Sequence, residues 1–67
     1  MPIIDVSLLR GRSDAQLRQL IQALHDAVVD TLAVPPDSVR ILVREVDPRM
    51  WGSGGTTIAE RRANPGQ

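Results

Sequence analysis

Few residues in this sequence can do chemistry by the commonest routes. There is no cysteine, which excludes thiol nucleophiles, thiolate metal sites and disulfides. All eight basic side chains are arginines, so neither a lysine Schiff base nor a lysine general base is available. No serine sits in a nucleophile elbow beside a plausible histidine. The single histidine, His25, has Asp26 and Asp30 nearby but no second histidine at metal-ligand spacing. It falls near the edge of an apolar helix stripe and is read as structural. Gly52, Gly54 and Gly55 neither open a helix nor precede a Lys-Ser/Thr pair, so they read as a tight hairpin turn rather than a phosphate loop. Arg61-Arg62 reads as a solvated pair of tail charges.

What remains is Pro2, directly after Met1. An initiator methionine is normally removed when a small residue, proline included, comes next. Pro2 would then carry a free secondary amine on the first residue of a strand. Unprotonated, such an amine is a base and a nucleophile towards carbonyls. Burial and nearby cations both push an amine's pKa down. By position alone the favoured role is simpler: a strand start, where the missing N–H costs nothing.

The elements that would place these residues follow from periodicity. Ile4, Val6 and Leu8 alternate with Asp5 and Ser7, which predicts a half-buried strand over Ile3 to Leu9. Gly11 breaks that run, and Ser13-Asp14-Ala15-Gln16 has the form of a capping box with Ser13 as N-cap. Leu17, Leu20, Ile21, Leu24, Val28 and Leu32 recur at helical spacing, so one long amphipathic helix runs to about Leu32. Pro35-Pro36 stops it. Val39, Ile41 and Val43 alternate with Arg40 and Arg44 in a second strand, roughly Val39 to Val46, ended by Asp47-Pro48. A flexible turn over Trp51 to Gly55 and a short Thr56-Thr57-Ile58 segment suggest a small hairpin. The tail from Arg61, and above all residues 63–67, reads as frayed. A strand, helix and strand joined by a connection of this length predicts two parallel strands in a right-handed crossover.

Composition bounds what this unit can be. Sixty-seven residues make one domain, 1–67, that buries only ~60% of its unfolded surface, and without disulfides oligomerisation is the expected remedy. A two-stranded sheet also has edges for another copy to complete. Net charge is zero and the arginines are dispersed, which argues against a nucleic-acid partner. No apolar run approaches a membrane span and no signal peptide is visible, so a soluble, cytoplasmic protein is expected.

Pro2, Gly11-Arg12-Ser13, Val39-Arg40 and Trp51-Gly52-x-Gly54-Gly55, in this order and at these spacings, resemble the 4-oxalocrotonate tautomerase family, the short-chain tautomerases. The likeness spans about Pro2 to Arg62. It implies an α+β fold in which two β-α-β units, each with a C-terminal hairpin, pair into a four-stranded sheet, and three such dimers form a homohexamer. The implied activity is that of an isomerase without cofactor or metal. It moves a proton in an enol or 2-oxo acid, a small molecule such as 2-hydroxymuconate from the catabolism of aromatic compounds. Carried across, Pro2 matches the general base. Arg12 matches the arginine on the remote carboxylate. Arg40 matches the arginine on the 2-hydroxy or 2-oxo group and its carboxylate, and the two arginines come from different subunits. Trp51 stands where an aromatic, usually phenylalanine, walls the pocket.

The chemistry of those roles is sound on its own terms. Proton abstraction beside a ketone builds charge on oxygen, which a fixed guanidinium stabilises. The planar guanidinium also fits a carboxylate. Two departures argue against hydration of halo-acrylates, a related activity. Ser53 stands where an acidic water-activating residue would be, and Leu9 where a second arginine would be, with Arg10 on the opposite strand face. The alternative to an enzyme is a non-catalytic or hetero-oligomer assembly subunit that keeps the fold.

Overall fold

A computed structural model describes residues 2–63. Met1, whose removal the sequence reading expects, and residues 64–67 of the expected frayed tail lie outside the described residues.

Strand β1 (Ile3–Leu9) and strand β2 (Arg40–Val46) run parallel, with Ile3 opposite Arg40 and Leu9 opposite Val46. Helix α1 (Asp14–Leu32) connects them and packs against β2. Its start is the expected capping box. The Ser13 hydroxyl accepts from the Gln16 N–H at 3.1 Å, and the Gln16 side chain accepts from the Ser13 N–H at 3.0 Å. Asp14 adds negative charge to the first turn, where the helix dipole favours it. At the far end Ala33 takes a left-handed conformation (φ 55°) and its N–H closes on the Val29 carbonyl.

The strand pattern sorts the sheet into two faces. Ile4, Val6 and Leu8 with Ile41 and Val43 are half-buried on one face, together with Leu17, Leu20, Ile21, Leu24 and Val28 of α1. Leu32, expected at the end of that stripe, is 57% exposed, because the strands end before the helix does. The other face keeps Ile3 58% and Leu42 49% exposed. Among the described residues only Val39 is buried, at 7% exposure. The molecule's accessible surface is 5018 Å², whereas a compact monomer of 7.3 kDa shows about 4,200 Å². One copy therefore leaves much of its apolar surface uncovered.

Beyond β2 the chain makes a 3₁₀ turn at Pro48–Met50 and a two-residue hairpin, β3 (Gly52–Ser53) and β4 (Thr56–Thr57). Gly54 and Gly55 have φ of 63° and 87°, the pair of positive values that a tight hairpin demands and that glycine alone adopts freely. The expected frayed tail is corrected from Arg61 to Ala63: helix α2 (Ile58–Ala63) follows β4 directly. Its signal is Thr57-x-x-Glu60, the same capping pattern as at α1, with the Glu60 N–H donating to the Thr57 hydroxyl at 3.1 Å. Nor is Arg61 solvated tail charge. Its guanidinium donates to the Ser53 carbonyl (2.9 Å) and the Thr56 hydroxyl (3.1 Å), tying α2 to the hairpin.

Candidate active site

Parallel pairing places Pro2 and Arg40 side by side. The Arg40 N–H donates to the Pro2 carbonyl at 3.0 Å, one step beyond the first ladder pair, so both residues sit at the strands' N-terminal ends. Pro2 is half-buried. Arg40 is exposed, and its guanidinium folds over the preceding turn, with Nη1 2.7 Å from the Asp37 carbonyl oxygen and 3.3 Å from that of Val39.

Arg12 and Trp51 lie elsewhere. Arg12 is in the loop after β1, at the opposite end of the sheet, and seven residues at ~3.3 Å each put about 20 Å between the two ends. There it borders an open groove of about 400 Å³ with Leu8, Gln16, Leu17, Gln19 and Leu20. Trp51 is half-buried in the chain leaving β2, also beyond the C-terminal end of the sheet. Its carbonyl accepts from the Ile58 N–H at 3.0 Å. Pro2 and Arg40 thus stand where the two strands begin, whereas Arg12 and Trp51 follow the strands' other ends.

Two other candidate bases are already engaged. Asp5, on the sheet face away from α1, accepts from Arg44 Nε at 3.0 Å and Nη2 at 2.6 Å. Those hydrogen bonds hold its carboxyl below the ordinary value, which makes it a weak base. His25 lies between the Pro36 carbonyl (Nε2, 2.9 Å) and the Asp26 carboxylate (Nδ1, 3.2 Å). Both partners are acceptors, so the doubly protonated ring satisfies both, and its pKa is raised, first by Pro36 and then by Asp26. His25 braces α1 against the Pro35-Pro36 turn, in keeping with its structural reading. Among the described residues no group of three or more His, Asp and Glu could hold a metal ion, and no helix is long and apolar enough to cross a membrane.

Comparison with known proteins shows the family. Residues 2–61 match the family described as Tautomerase enzyme. A probable tautomerase of Staphylococcus aureus is 38% identical over 61 residues, covering 91% of this chain and all of the relative. Among solved structures, TomN, a 4-oxalocrotonate tautomerase homologue in the tomaymycin biosynthetic pathway, superposes with a TM-score of 0.92 at 45% identity, covering 96% of this chain and 98% of its own. A heterohexamer 4-oxalocrotonate tautomerase from Chloroflexus aurantiacus gives 0.85 at 37% identity, over 90% of this chain and 97% of its own. With Pro2 held at the head of a β-α-β unit and the match running almost end to end, the chain belongs to the tautomerase family, isomerases that shift a proton in an enol or keto acid with an amino-terminal proline as base.

Proposed function

We propose that Pro2 is the base in this chain and that the active site is completed only between copies. The observation that carries this is the placement of Pro2 with Arg40 at one end of the sheet and of Arg12 with Trp51 at the other. A substrate lying on Pro2 and Arg40 meets Arg12 and Trp51 only if a second copy brings its opposite end alongside. Two such units pairing into a four-stranded sheet, and three pairs into a homohexamer, would also cover the open strand edges and the exposed Ile3 and Leu42.

In that site the Pro2 nitrogen takes the enol proton, electron density moves along the conjugated acid, and the proton returns to carbon. Arg40 stabilises charge that develops on the substrate oxygen and holds the adjacent carboxylate. Arg12 holds a second carboxylate, which points to a dicarboxylic enol of the 2-hydroxymuconate kind. Trp51 walls the pocket. Its bulk and the likeness to a homologue from a biosynthetic pathway favour, as a second reading, an unsaturated acid from biosynthesis.

Kinetics on a dicarboxylic and a monocarboxylic enol test both arginines. Arg40→Ala lowers kcat on each, because Arg40 meets, besides the adjacent carboxylate, oxygen charge that develops only in the transition state. Arg12→Ala raises KM for the dicarboxylate and barely affects the monocarboxylate. Equal losses on both substrates from the two variants contradict the assignment.

A further inference from the structure

The turn before β2 has a run of occupied carbonyls. The Pro35 carbonyl accepts from the Ser38 N–H (3.0 Å) and hydroxyl (2.7 Å). The Pro36 carbonyl accepts from His25 Nε2 at 2.9 Å, and the Asp37 carbonyl from Arg40 Nη1 at 2.7 Å. A carbonyl oxygen can only accept, so His25 Nε2 must carry a hydrogen. The ring is itself aimed from the helix: Nδ1 meets Asp26, Asp26 accepts from Gln22 Nε2 at 3.0 Å, and Gln22 accepts from Arg18 at 3.1 Å. Pro35 and Pro36 have restricted φ and no N–H, and among the described residues the side chain that meets the Pro36 carbonyl is that of His25, eleven residues away. The next carbonyl along holds the Arg40 guanidinium.

We propose that His25 is a positioning residue for Arg40: through the Pro36 carbonyl it fixes the turn whose Asp37 carbonyl aims the guanidinium at the substrate. The proposal rests on the role given to Arg40 above and deepens it. The histidine touches no substrate. It sets where the oxygen-binding cation stands, and misplacing such a group by about 1 Å can cost about 10²-fold in rate.

The test is a double-mutant cycle on the assembled enzyme with a dicarboxylic enol, with assembly checked by sedimentation. His25→Gln keeps an N–H donor near the position of Nε2, and His25→Leu keeps bulk but no donor. The Leu variant should lose about 10-fold in kcat/KM, with the loss in kcat as well as KM, while Gln stays within about twofold of the parent. In an Arg40→Ala background the Leu change should cost nothing further, whereas in an Arg12→Ala background it should keep its full effect. Should the Leu variant fail to assemble, His25→Asn, whose amide is too short for the Pro36 carbonyl, replaces it with the same expectation. Equal losses in both backgrounds, a Gln variant as poor as Leu, or no loss at all would overturn the positioning role. An Arg40→Ala enzyme with unchanged kcat/KM would instead overturn the role of Arg40 itself, and the inference with it.

Discussion

The β-α-β unit and the C-terminal arm, residues 47–63, keep their shapes by different means. In the unit, residues far apart in sequence hold each other: the Asp5–Arg44 pair spans 39 positions, and the seven-pair ladder joins the strands across the whole helix. In the arm most shaping bonds are local, from Arg49 to Asp47, Ile58 to Trp51, and Arg61 to Ser53 and Thr56, with one longer reach from Arg10 to Asp47 at 3.4 Å. The unit is therefore expected to unfold as one body, whereas the arm is shaped mostly by short-range bonds, with Met50 75% exposed. Each carries half of the proposed site's character. The unit holds the base and the oxygen-binding cation, and the arm brings the apolar wall.

The largest expected effect lies in the unit and leaves both regions folded. Retaining Met1, or acetylating Pro2, turns the amine into an amide whose nitrogen lone pair is delocalised and no longer basic. Turnover should fall by about 10²–10⁴-fold, the usual weight of a general base, with circular dichroism and oligomeric state unchanged. Intact mass identifies the species assayed. Full activity from a blocked chain would put the base elsewhere.

Next in size is a substitution that strikes the arm alone. Gly55→Val forces a β-branched residue to φ near 87°, which costs about 1–3 kcal/mol where the fold cannot relax. Amide exchange should speed up at Thr57 and Ile58, with α1 and the β1–β2 ladder as protected as before. KM should rise because Trp51 is no longer held. Exchange that accelerates evenly through both regions would show that unit and arm form one cooperative body.

How well the sequence could be read divides along the same line. Both strands, the capping box and the end of α1 were legible because long periodic runs and a cap at Ser13 agree with one another. That Pro2 lies beside Arg40 was not read from the sequence, although a parallel crossover brings two strand starts together. The arm was only half legible. Its glycines announced the hairpin, but α2 is six residues long, too short for periodicity to show, and only Thr57-x-x-Glu60 marked its start. Arg61 read as tail charge because its partners, the Ser53 carbonyl and Thr56 hydroxyl, exist only once the hairpin has turned. The bond from His25 to Pro36 was out of reach for the same reason, since a backbone carbonyl has no signature in sequence.

A smaller effect tests the scaffold's cooperativity. Ser13→Ala removes the hydroxyl that caps α1 and leaves the Gln16 N–H without that partner. The cost should be about 1 kcal/mol. Because the unit folds as one body, the loss should appear equally at α1 and in the β1–β2 ladder by amide exchange. Loss confined to the first turn of α1 would mean that the helix frays independently of the sheet.

The smallest expected effect is the pH response of the brace between helix and turn. His25 is shifted above its ordinary 6.5, first by the Pro36 carbonyl and next by Asp26, while partial burial and Arg18 oppose the shift; it borders an open groove together with Arg18, Val39 and Ile41. A raised folded-state value means that the folded chain binds the proton more tightly than the unfolded chain does. The stabilisation is therefore complete below 6.5, where both states are protonated, and fades as pH climbs through the raised value. Asp26 acts in the opposite window. The hydrogen bonds from His25 and Gln22 lower its value, so its contribution is lost only in acid, as pH falls below the ordinary carboxylate value towards the depressed one. Thermal midpoints read at fixed protein concentration should drift slightly downward from pH 6.5 and then level off. His25→Gln, which does not titrate, should remove that drift and shrink the acid limb to the part that the hydrogen bond from Gln22 supplies. A drift of unchanged size in the Gln variant would assign it to another group, and the brace would then hold through packing against Val39 and Ile41 rather than through the ring's two hydrogens.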